Sequence, residues 1–498
     1  MPQSDSETMH RGRELAFERR MSDQESLMWN IEKDPWLNPS GALLTILDQP
    51  PDFDLMLAKI RYGLTRLPRL RERVVPGLGR LSPPVWATDA DFDLDYHLRR
   101  LCLPQPGSMR QLLDLVTRLY EEPYDRTRPL WLFYCIEGLP DGQGALFVKQ
   151  HHSVADGVGA LRMAEVYTDL ERDCAPPPAV DLERVIADAL AAEQGELLEA
   201  GADTSDSILD TATRTVTHNL RRQAGILLRS AGGITELAAH PTRLVPAVGG
   251  ASEQIRSALD TAGGGRKIDA GAPLWTKRSR RRHLEVLELS LENAKAAAKS
   301  MNGSVNDLFV TGAALGAVAY HAERGVPIRA INMTFVVSTR SDKAMGGNSF
   351  TPVPVQIPCG DADLTVEDRF HQIQTLVAER RASVKGRGAL SAIAGVVNLL
   401  PTSVSTRVAR QQAAKVDLAT SNIRGAPMQT YIAGSAVVAG IPLGPVAGTA
   451  ANLTTISQNG RMNMGLLVDP IAVADPAGLA RNIDAAFTSL LAAGGVVR

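Results

Sequence analysis

The sequence predicts an α/β protein made of two domains of mixed helix and strand with a helical linker between them. Three observations lead there. The chain has 498 residues, more than one hydrophobic core organises, since single cores stop growing at about 250 to 300 residues. Strand and helix patterns alternate in both the N-terminal and the C-terminal part. Between them, from the proline run at 175–180 (APPPAV) to about residue 272, the strand signal disappears. These breaks predict an N-terminal domain over 20–175, a linker over 176–272 and a C-terminal domain over 273–498.

In the first domain, 42–47 is aliphatic enough for a strand, and 52–69 carries leucine and isoleucine at helical spacing. Residues 108–122 (SMRQLLDLVTRLYEE) read as a helix with Ser108 as N-cap and leucine or valine at 112, 113, 115, 116 and 119. Two β-rich runs follow, 131–139 and 145–152, joined by Pro140-Asp141-Gly142. Proline fixes φ there and glycine accepts positive φ, so the pair reads as a hairpin that ends in two histidines. The linker is rich in Ala, Leu and Glu at 183–200, then in Ser, Thr and Asp, and closes on Gly263, Gly264 and Gly265. In the last domain, 283–292 alternates as a half-buried strand, 305–323 reads as helix, and 330–338 and 351–357 read as strands. Asn459-Gly460 marks a tight hairpin, and 476–493 closes the chain as a helix.

Composition narrows the function. Hydrophobic residues make up 44% and charged residues 22%, the balance of a soluble globular protein. With 53 Lys and Arg against 55 Asp and Glu and only 5% aromatics, the chain has neither the charge nor the stacking platforms expected of a nucleic-acid binder. Cys102, Cys135, Cys174 and Cys359 lie far apart with no CxxC pair, which argues against a structural zinc site or a disulfide framework and fits a reducing, cytoplasmic compartment. No apolar leader and no uninterrupted apolar stretch of 18 residues is visible, so no membrane span is predicted; contact with a membrane surface stays open.

The stretch that carries chemistry is Lys149 to Gly159, KQHHSVADGVG. Neighbouring side chains of a strand point to opposite faces, so His151 and His152 share a pocket only if the backbone breaks between them. One histidine can then act while the other supports it. A neutral imidazole, with an unperturbed pKa of about 6.5, can take the proton of a hydroxyl as that oxygen attacks a carbonyl carbon. The alternatives are a buried pair that hydrogen-bonds to backbone, or a metal held by His151, His152 and Asp156. The opposed faces and the lack of a recognised zinc spacing argue against the metal. No GxSxG elbow is present, so a serine hydrolase has no motif support.

HHSVADG fits HHxxxDG, the active-site motif of the acyl-CoA-dependent acyltransferase superfamily that includes chloramphenicol acetyltransferase and the condensation domains of peptide synthetases. Further blocks resemble the bacterial wax ester synthase/diacylglycerol acyltransferase family. Arg128-Pro129-Leu130-Trp131 looks like its PLW motif, and Val305-Asn306-Asp307 is similar to its ND motif. Phe92-Asp93-Leu94 with His97, Val337-Ser338-Thr339-Arg340, Gly347-Asn348 and Ser421-Asn422-Ile423-Arg424-Gly425 also resemble family blocks, in the family's order. The resemblance covers about 22–490. LWTKRSRRRH, ahead of the last domain, is more basic than the family pattern, and the linker is rich in small polar residues.

The resemblance implies two chloramphenicol-acetyltransferase-like αβ domains with an active-site tunnel at their interface. It implies transfer of a long-chain acyl group from acyl-CoA to the hydroxyl of diacylglycerol, giving triacylglycerol, or of a long-chain alcohol, giving a wax ester. His152 is then the general base, His151 a packed neighbour, and Asp156 the group that orients the motif loop, with Arg340 as candidate salt-bridge partner. Gly157 lets the backbone turn closely past the reacting centre. Asn306 is a candidate for steadying the oxyanion or the motif loop, although SVND before an apolar helix is also an ordinary N-cap. Leu130, Trp131 and Asp307 are carried over on the substrate side, although Leu130 and Trp131 read most simply as core. Acyl-CoA is a co-substrate, and no cofactor or metal is implied.

Two other readings compete: a carrier-protein-dependent condensation-type acyltransferase and a non-catalytic lipid-binding homologue. Since the implied substrates are insoluble, a cytoplasmic protein bound peripherally to a membrane or lipid droplet is expected. Two stretches suit that contact, Lys277, Arg278, Arg280, Arg281 and Arg282, and the run Arg214, Arg221, Arg222 and Arg229 with Ile226, Leu227 and Leu228. The arginines of the first could instead grip the phosphates of CoA bidentately, and a solvated strand entrance is its plainer reading.

Overall fold

Local chemistry sets where the elements begin and end. The computed structural model describes residues 17–77, 83–199, 271–338, 350–360, 363–383 and 400–497, with 394–395 and 397–398. Helix Met109–Glu121 opens with a capping box, the Ser108 hydroxyl accepting the Gln111 N–H and the Gln111 side chain accepting the Ser108 N–H. Helix Phe53–Arg66 starts at Asp52, whose carboxylate accepts the Leu55 N–H at 3.0 Å. It ends before Pro68, because proline pushes the residue ahead of it out of the helical region, and Leu67 accordingly has φ −123°. At the first hairpin Asp141 and Gly142 have φ 56° and 71°, and at the second Asn459 and Gly460 have φ 45° and 76°. At Asn459-Gly460, between the paired Gln458 and Arg461, this is the left-handed backbone that a two-residue hairpin loop needs, whereas Asp141 and Gly142 sit in a longer connection between Glu137 and Gly144.

Two mixed sheets carry the fold. The first has seven strands in the order Leu98–Cys102, Trp131–Glu137, Gly144–His151, Ser40–Leu47, Ser435–Leu443, Tyr431–Ile432 and Thr168–Asp169. The second has six, Phe350–Pro358, Ala330–Ser338, Leu418–Arg424, Ala451–Gln458, Arg461–Val468 and His283–Ser290. The C-terminal part therefore contributes a long strand to the first sheet: Ser435–Leu443 pairs antiparallel with Ser40–Leu47, Ala42 opposite Leu443. Strand Ser435–Leu443 also packs against Ala451–Gln458 and Arg461–Val468 of the second sheet, which ties the two halves together.

The faces of the first sheet are covered differently. Leu112, Leu113 and Val116 of helix Met109–Glu121 pack on Tyr134, Ile136 and Phe147. On the other face Met56, Ile60 and Leu64 of helix Phe53–Arg66 pack with Trp131, Phe133 and Met163. In the second sheet, helices Val305–Glu323 and Pro476–Ala493 lie against each other, with Phe309 and Phe487 rings stacked at 6.4 Å.

Candidate active site

Strand Gly144–His151 lies between Trp131–Glu137 and Ser40–Leu47, with Gln150 opposite both Trp131 and Gly41. Alternation then sorts the motif. Lys149 and His151 are fully enclosed on the face of helix Met109–Glu121, while Val148 and Gln150 are partly accessible on the other. The strand stops at His151, and His152, Ser153 and Val154 form a turn closed by the Val154 N–H to the His151 carbonyl at 2.9 Å. That break gives His152, half-buried, a direction of its own. A Cβ on Gly41 would lie 3.6 Å from His152 Nε2 and 3.7 Å from its Cδ2, so the imidazole sits against a strand position that has no side chain.

His151 is held from every side. Its Nδ1 accepts the Ser153 N–H at 3.0 Å and meets the Ser153 hydroxyl at 2.6 Å. An imidazole nitrogen that accepts a backbone N–H has no proton of its own, so in neutral His151 the proton is on Nε2. Nε2 faces Glu32 Oε2 at 3.4 Å, and Tyr124 stands edge-on to the ring at 6.1 Å. The carbonyl of Leu130, the residue before strand Trp131–Glu137, accepts the His151 N–H at 3.0 Å. Ser153, His151 and Glu32 have the residue types of a hydrolytic triad, yet Ser153 and His151 are each 0% exposed, which shuts that hydroxyl off from solvent.

Behind His151 lies a set of charges, Lys149 buried and Glu32 and Arg126 partly so. Arg126 donates to Glu32 Oε2 at 3.1 Å and to the Trp29 carbonyl at 2.9 Å, with its guanidinium 3.3 Å from the Trp29 ring centre. Lys149 Nζ donates to the Leu119 carbonyl at 3.0 Å and to that of Glu122, closing the end of helix Met109–Glu121. Burial pushes the Lys149 ammonium down to about 8. Burial also pushes the Glu32 carboxyl up, but His151, Arg126 and Lys149 outweigh it and hold Glu32 below the usual carboxylate range.

Asp156 N-caps helix Gly157–Ala164, accepting the Gly159 N–H at 2.8 Å, and is 5% exposed. A Cβ on Gly157 would come within 2.9 Å of Ile423 Cδ1, and this helix touches strand Leu418–Arg424 of the second sheet. The motif loop therefore sits where the two halves meet. Strand Leu418–Arg424 also touches helix Val305–Glu323, which carries Asn306, half-buried, in its first turn. Asp307 is engaged in that helix's capping box, accepting the Ser304 N–H at 2.8 Å and the Ser304 hydroxyl at 2.7 Å. Arg340 and Gly347-Asn348 lie outside the described residues, as does the run Arg214 to Arg229.

Leu130 and Trp131 are 0% and 1% exposed. Trp131 Nε1 donates to the Leu70 carbonyl at 2.7 Å, and its ring stacks on His97 at 4.4 Å. His97 Nδ1 in turn donates to the Trp131 carbonyl at 2.8 Å. These residues act as core, and through the Leu130 carbonyl they fix the end of the histidine strand. The basic run divides: Arg278 turns inward onto the Val416 and Gly448 carbonyls at 3.3 Å, 4.0 Å from Asp417, Arg282 is half-buried, and Lys277, Arg280 and Arg281 are exposed. Among the described residues no group of three His, Cys, Asp or Glu side chains is placed to hold a metal ion, and no helix is long and apolar enough to cross a membrane.

Sequence reasoning missed Glu32, Arg126 and Lys149. Lys149 left a signal, since a lysine two residues before His151 in an aliphatic strand shares its enclosed face. Glu32 left none, being far from the motif in sequence.

Residues 21–309 match the model of the wax ester synthase/diacylglycerol acyltransferase catalytic domain, and 346–491 match that of the WS/DGAT C-terminal domain. A Mycobacterium tuberculosis H37Rv protein, provisionally named a diacylglycerol O-acyltransferase, is 30% identical over 483 residues, covering 96% of this chain and 93% of its own. A second from the CDC 1551 strain, again provisionally so named, is 26% identical over 463 residues, 91% of each chain. Among solved structures, the wax ester synthase/diacylglycerol acyltransferase from Marinobacter aquaeolei VT8 superposes with a TM-score of 0.61 at 19% identity, over 96% of this chain and all of that one. The starter condensation domain of rhizomide synthetase gives 0.54 at 14% identity, over 96% of this chain and 94% of its own, so the same two-domain α/β fold is shared. On these matches, the chain belongs to the wax ester synthase/diacylglycerol acyltransferase family.

Proposed function

We propose that the protein transfers a long-chain acyl group from acyl-CoA to the hydroxyl of diacylglycerol or of a long-chain alcohol, with His152 as general base. The observation that carries the assignment to His152 is the contrast between the two histidines. His151 is enclosed with Nδ1 taken by Ser153 and Nε2 turned to Glu32, whereas His152 is half-accessible and lies beside a glycine.

In this reading the acceptor O–H gives its proton to His152 as the oxygen attacks the thioester carbonyl carbon. The tetrahedral intermediate collapses, the C–S bond breaks, and the CoA sulfur leaves with the proton that His152 returns. The ester is released and the base is regenerated, so no covalent acyl-enzyme is needed. Asp156 holds the turn through its cap, and Asn306 is the candidate donor to the developing oxyanion, a contribution of about 10²- to 10³-fold for a well-aimed amide. The interface beside Gly157 and Ile423 is where a tunnel for the acyl chain would run, and the insoluble acceptor implies work at a membrane or lipid-droplet surface.

The test is to incubate purified protein with radiolabelled palmitoyl-CoA and either hexadecanol or diolein, then separate the neutral lipids. Labelled wax ester or triacylglycerol is expected, falling at least about 10²-fold in His152→Ala, the lower end of general base catalysis. Near-normal turnover in a folded His152→Ala protein would remove His152 from the role.

A further inference from the structure

Gly41 stands out once the accessible side of the first sheet is followed from strand to strand. Ser40–Leu47 is an interior strand, paired on both sides, yet residues 41–43 are partly accessible while Leu44 to Leu47 are buried, and of these Gly41 and Leu43 share one face. Their partners across the sheet on the same face, Gln150 and Val148, are partly accessible too. The four positions form a strip on one face that ends at His152. Gly41 is the member next to the ring, and its absent Cβ would stand 3.6 Å from Nε2 and 3.7 Å from Cδ2. Near-equal distances place that Cβ alongside the Nε2–Cδ2 bond, flanking the nitrogen and not directly in front of it.

Residue 41 is not among the glycines with positive φ, so its backbone does not call for glycine. A Cβ there would make only ordinary van der Waals contact with the imidazole. Neither conformation nor a clash with the protein accounts for glycine at this position; what a side chain would occupy is the space against the Nε2–Cδ2 bond of the His152 ring.

The two acceptors differ in their need for that space. A straight primary alcohol brings one unbranched chain to the base. In diacylglycerol the carbon next to the carbinol carbon bears an acyloxy branch, so the acceptor is wide within two bonds of the attacking oxygen. We propose that Gly41 determines acceptor class, its missing side chain admitting a branched acceptor, diacylglycerol, alongside His152. The inference rests on the reading of His152 as the base at which the acceptor hydroxyl reacts.

The experiment compares kcat/KM for diolein and for hexadecanol, with palmitoyl-CoA as donor, in the wild-type chain, Gly41→Ala, Gly41→Val and His152→Ala, with a thermal melt of each. One or two extra methyl groups in a substrate pocket typically discriminate by about 10- to 200-fold. The ratio of diolein to hexadecanol kcat/KM is expected to fall by about tenfold or more in Gly41→Val and by less in Gly41→Ala, with hexadecanol still turned over. A ratio unchanged in both variants, or equal losses on both acceptors, overturns the role of Gly41. If Gly41→Val melts early, Gly41→Ala decides, since its added methyl group meets only ordinary contacts. Retained turnover in His152→Ala removes the base and with it this inference, whatever the ratio does. A wild-type chain that uses neither acceptor overturns the proposed function.

Discussion

His151 Nε2 lies 3.4 Å from Glu32 Oε2, and this link joins the end of the histidine strand to the residue that follows helix Asp23–Ile31. With Nδ1 taken by Ser153 and the His151 N–H by the Leu130 carbonyl, the ring cannot swing. The turn that carries His152 is therefore built on a fixed base, the support that the proposed general base would need to stay within the narrow tolerance of catalysis.

Glu32→Gln is expected to lower stability at pH 7 by about 2 kcal/mol, the scale of a hydrogen bond to a charged group, because Arg126 loses its ionised acceptor. The Glu32 carboxyl is held below its ordinary 4.5 in the fold. Its contribution is therefore complete above about 4.5 and disappears as pH falls through the lower folded value. Denaturant melts at pH 7 and at successively lower pH should show the gap between wild type and variant closing below 4.5. A gap that stays constant down to pH 3 would mean the ionised carboxylate contributes nothing.

His97 sets a second pH dependence, in a higher window. Burial between Phe92 and Trp131 pushes its imidazolium down to about 4 from 6.5. The neutral ring is what the fold accepts, so its share of the stability is intact above 6.5 and is lost as pH falls toward 4. A shift of that size corresponds to about 3 kcal/mol. His97→Gln, which keeps a donor for the Trp131 carbonyl, should flatten the fall in stability between pH 6.5 and 4. An unaltered slope would place the acid sensitivity in other groups.

Elements whose pattern is local were legible, and those made by distant pairing were not. The turn at Pro140-Asp141-Gly142, the hairpin at Asn459-Gly460, and the helices led by Ser108 and Ser304 could be read because each depends on residues a few positions apart. Strand Ser435–Leu443 is continuously buried only over Gly440 to Leu443, with Val438 exposed, and its membership of the first sheet is a pairing with Ala42 to Leu47 that no local rule encodes. At the site, HHSVADG was legible as chemistry, but the strand was read through 152, and its end at His151 was not. Glu32 and Gly41 were not, because the role of each depends on what the sheet brings beside it.

Asp156 caps helix Gly157–Ala164, and the family resemblance adds a second role, a salt bridge to Arg340, which we propose to test because Arg340 lies outside the described residues. Asparagine caps about as well as aspartate, so Asp156→Asn keeps the bond to Gly159 N–H and removes only the charge. Asp156→Asn and Arg340→Ala are each expected to lower stability by about 3 to 5 kcal/mol, the cost of leaving one partner of a buried pair alone. The double variant should lose little more than either single one. Fully additive losses would show that Arg340 is not the partner.

The proposed membrane contact is reduced, on the described surface, to Lys277, Arg280 and Arg281, because Arg278 is spent on the carbonyls of Val416 and Gly448 and Arg282, half-buried, on those of Ser279 and Arg281. These exposed cations have an apolar neighbour. Ser279 Oγ and the Ile471 N–H both donate to Asp469 Oδ1, at 2.6 and 2.9 Å, which brings Ile471, 46% exposed, beside the basic run. Each basic residue near an anionic leaflet contributes about 1 kcal/mol, so three hold the protein weakly and reversibly. Binding to anionic vesicles should therefore fall as salt rises, with the screening length shortening from about 8 Å at physiological ionic strength to about 3 Å at 1 M. Arg280→Glu with Arg281→Glu should weaken co-sedimentation at low salt by tenfold or more, since about 1.4 kcal/mol is a factor of ten and two attractions become repulsions. Ile471→Ser should weaken it while leaving the salt dependence in place. Binding that ignores both salt and these substitutions would put the contact on another surface of the protein.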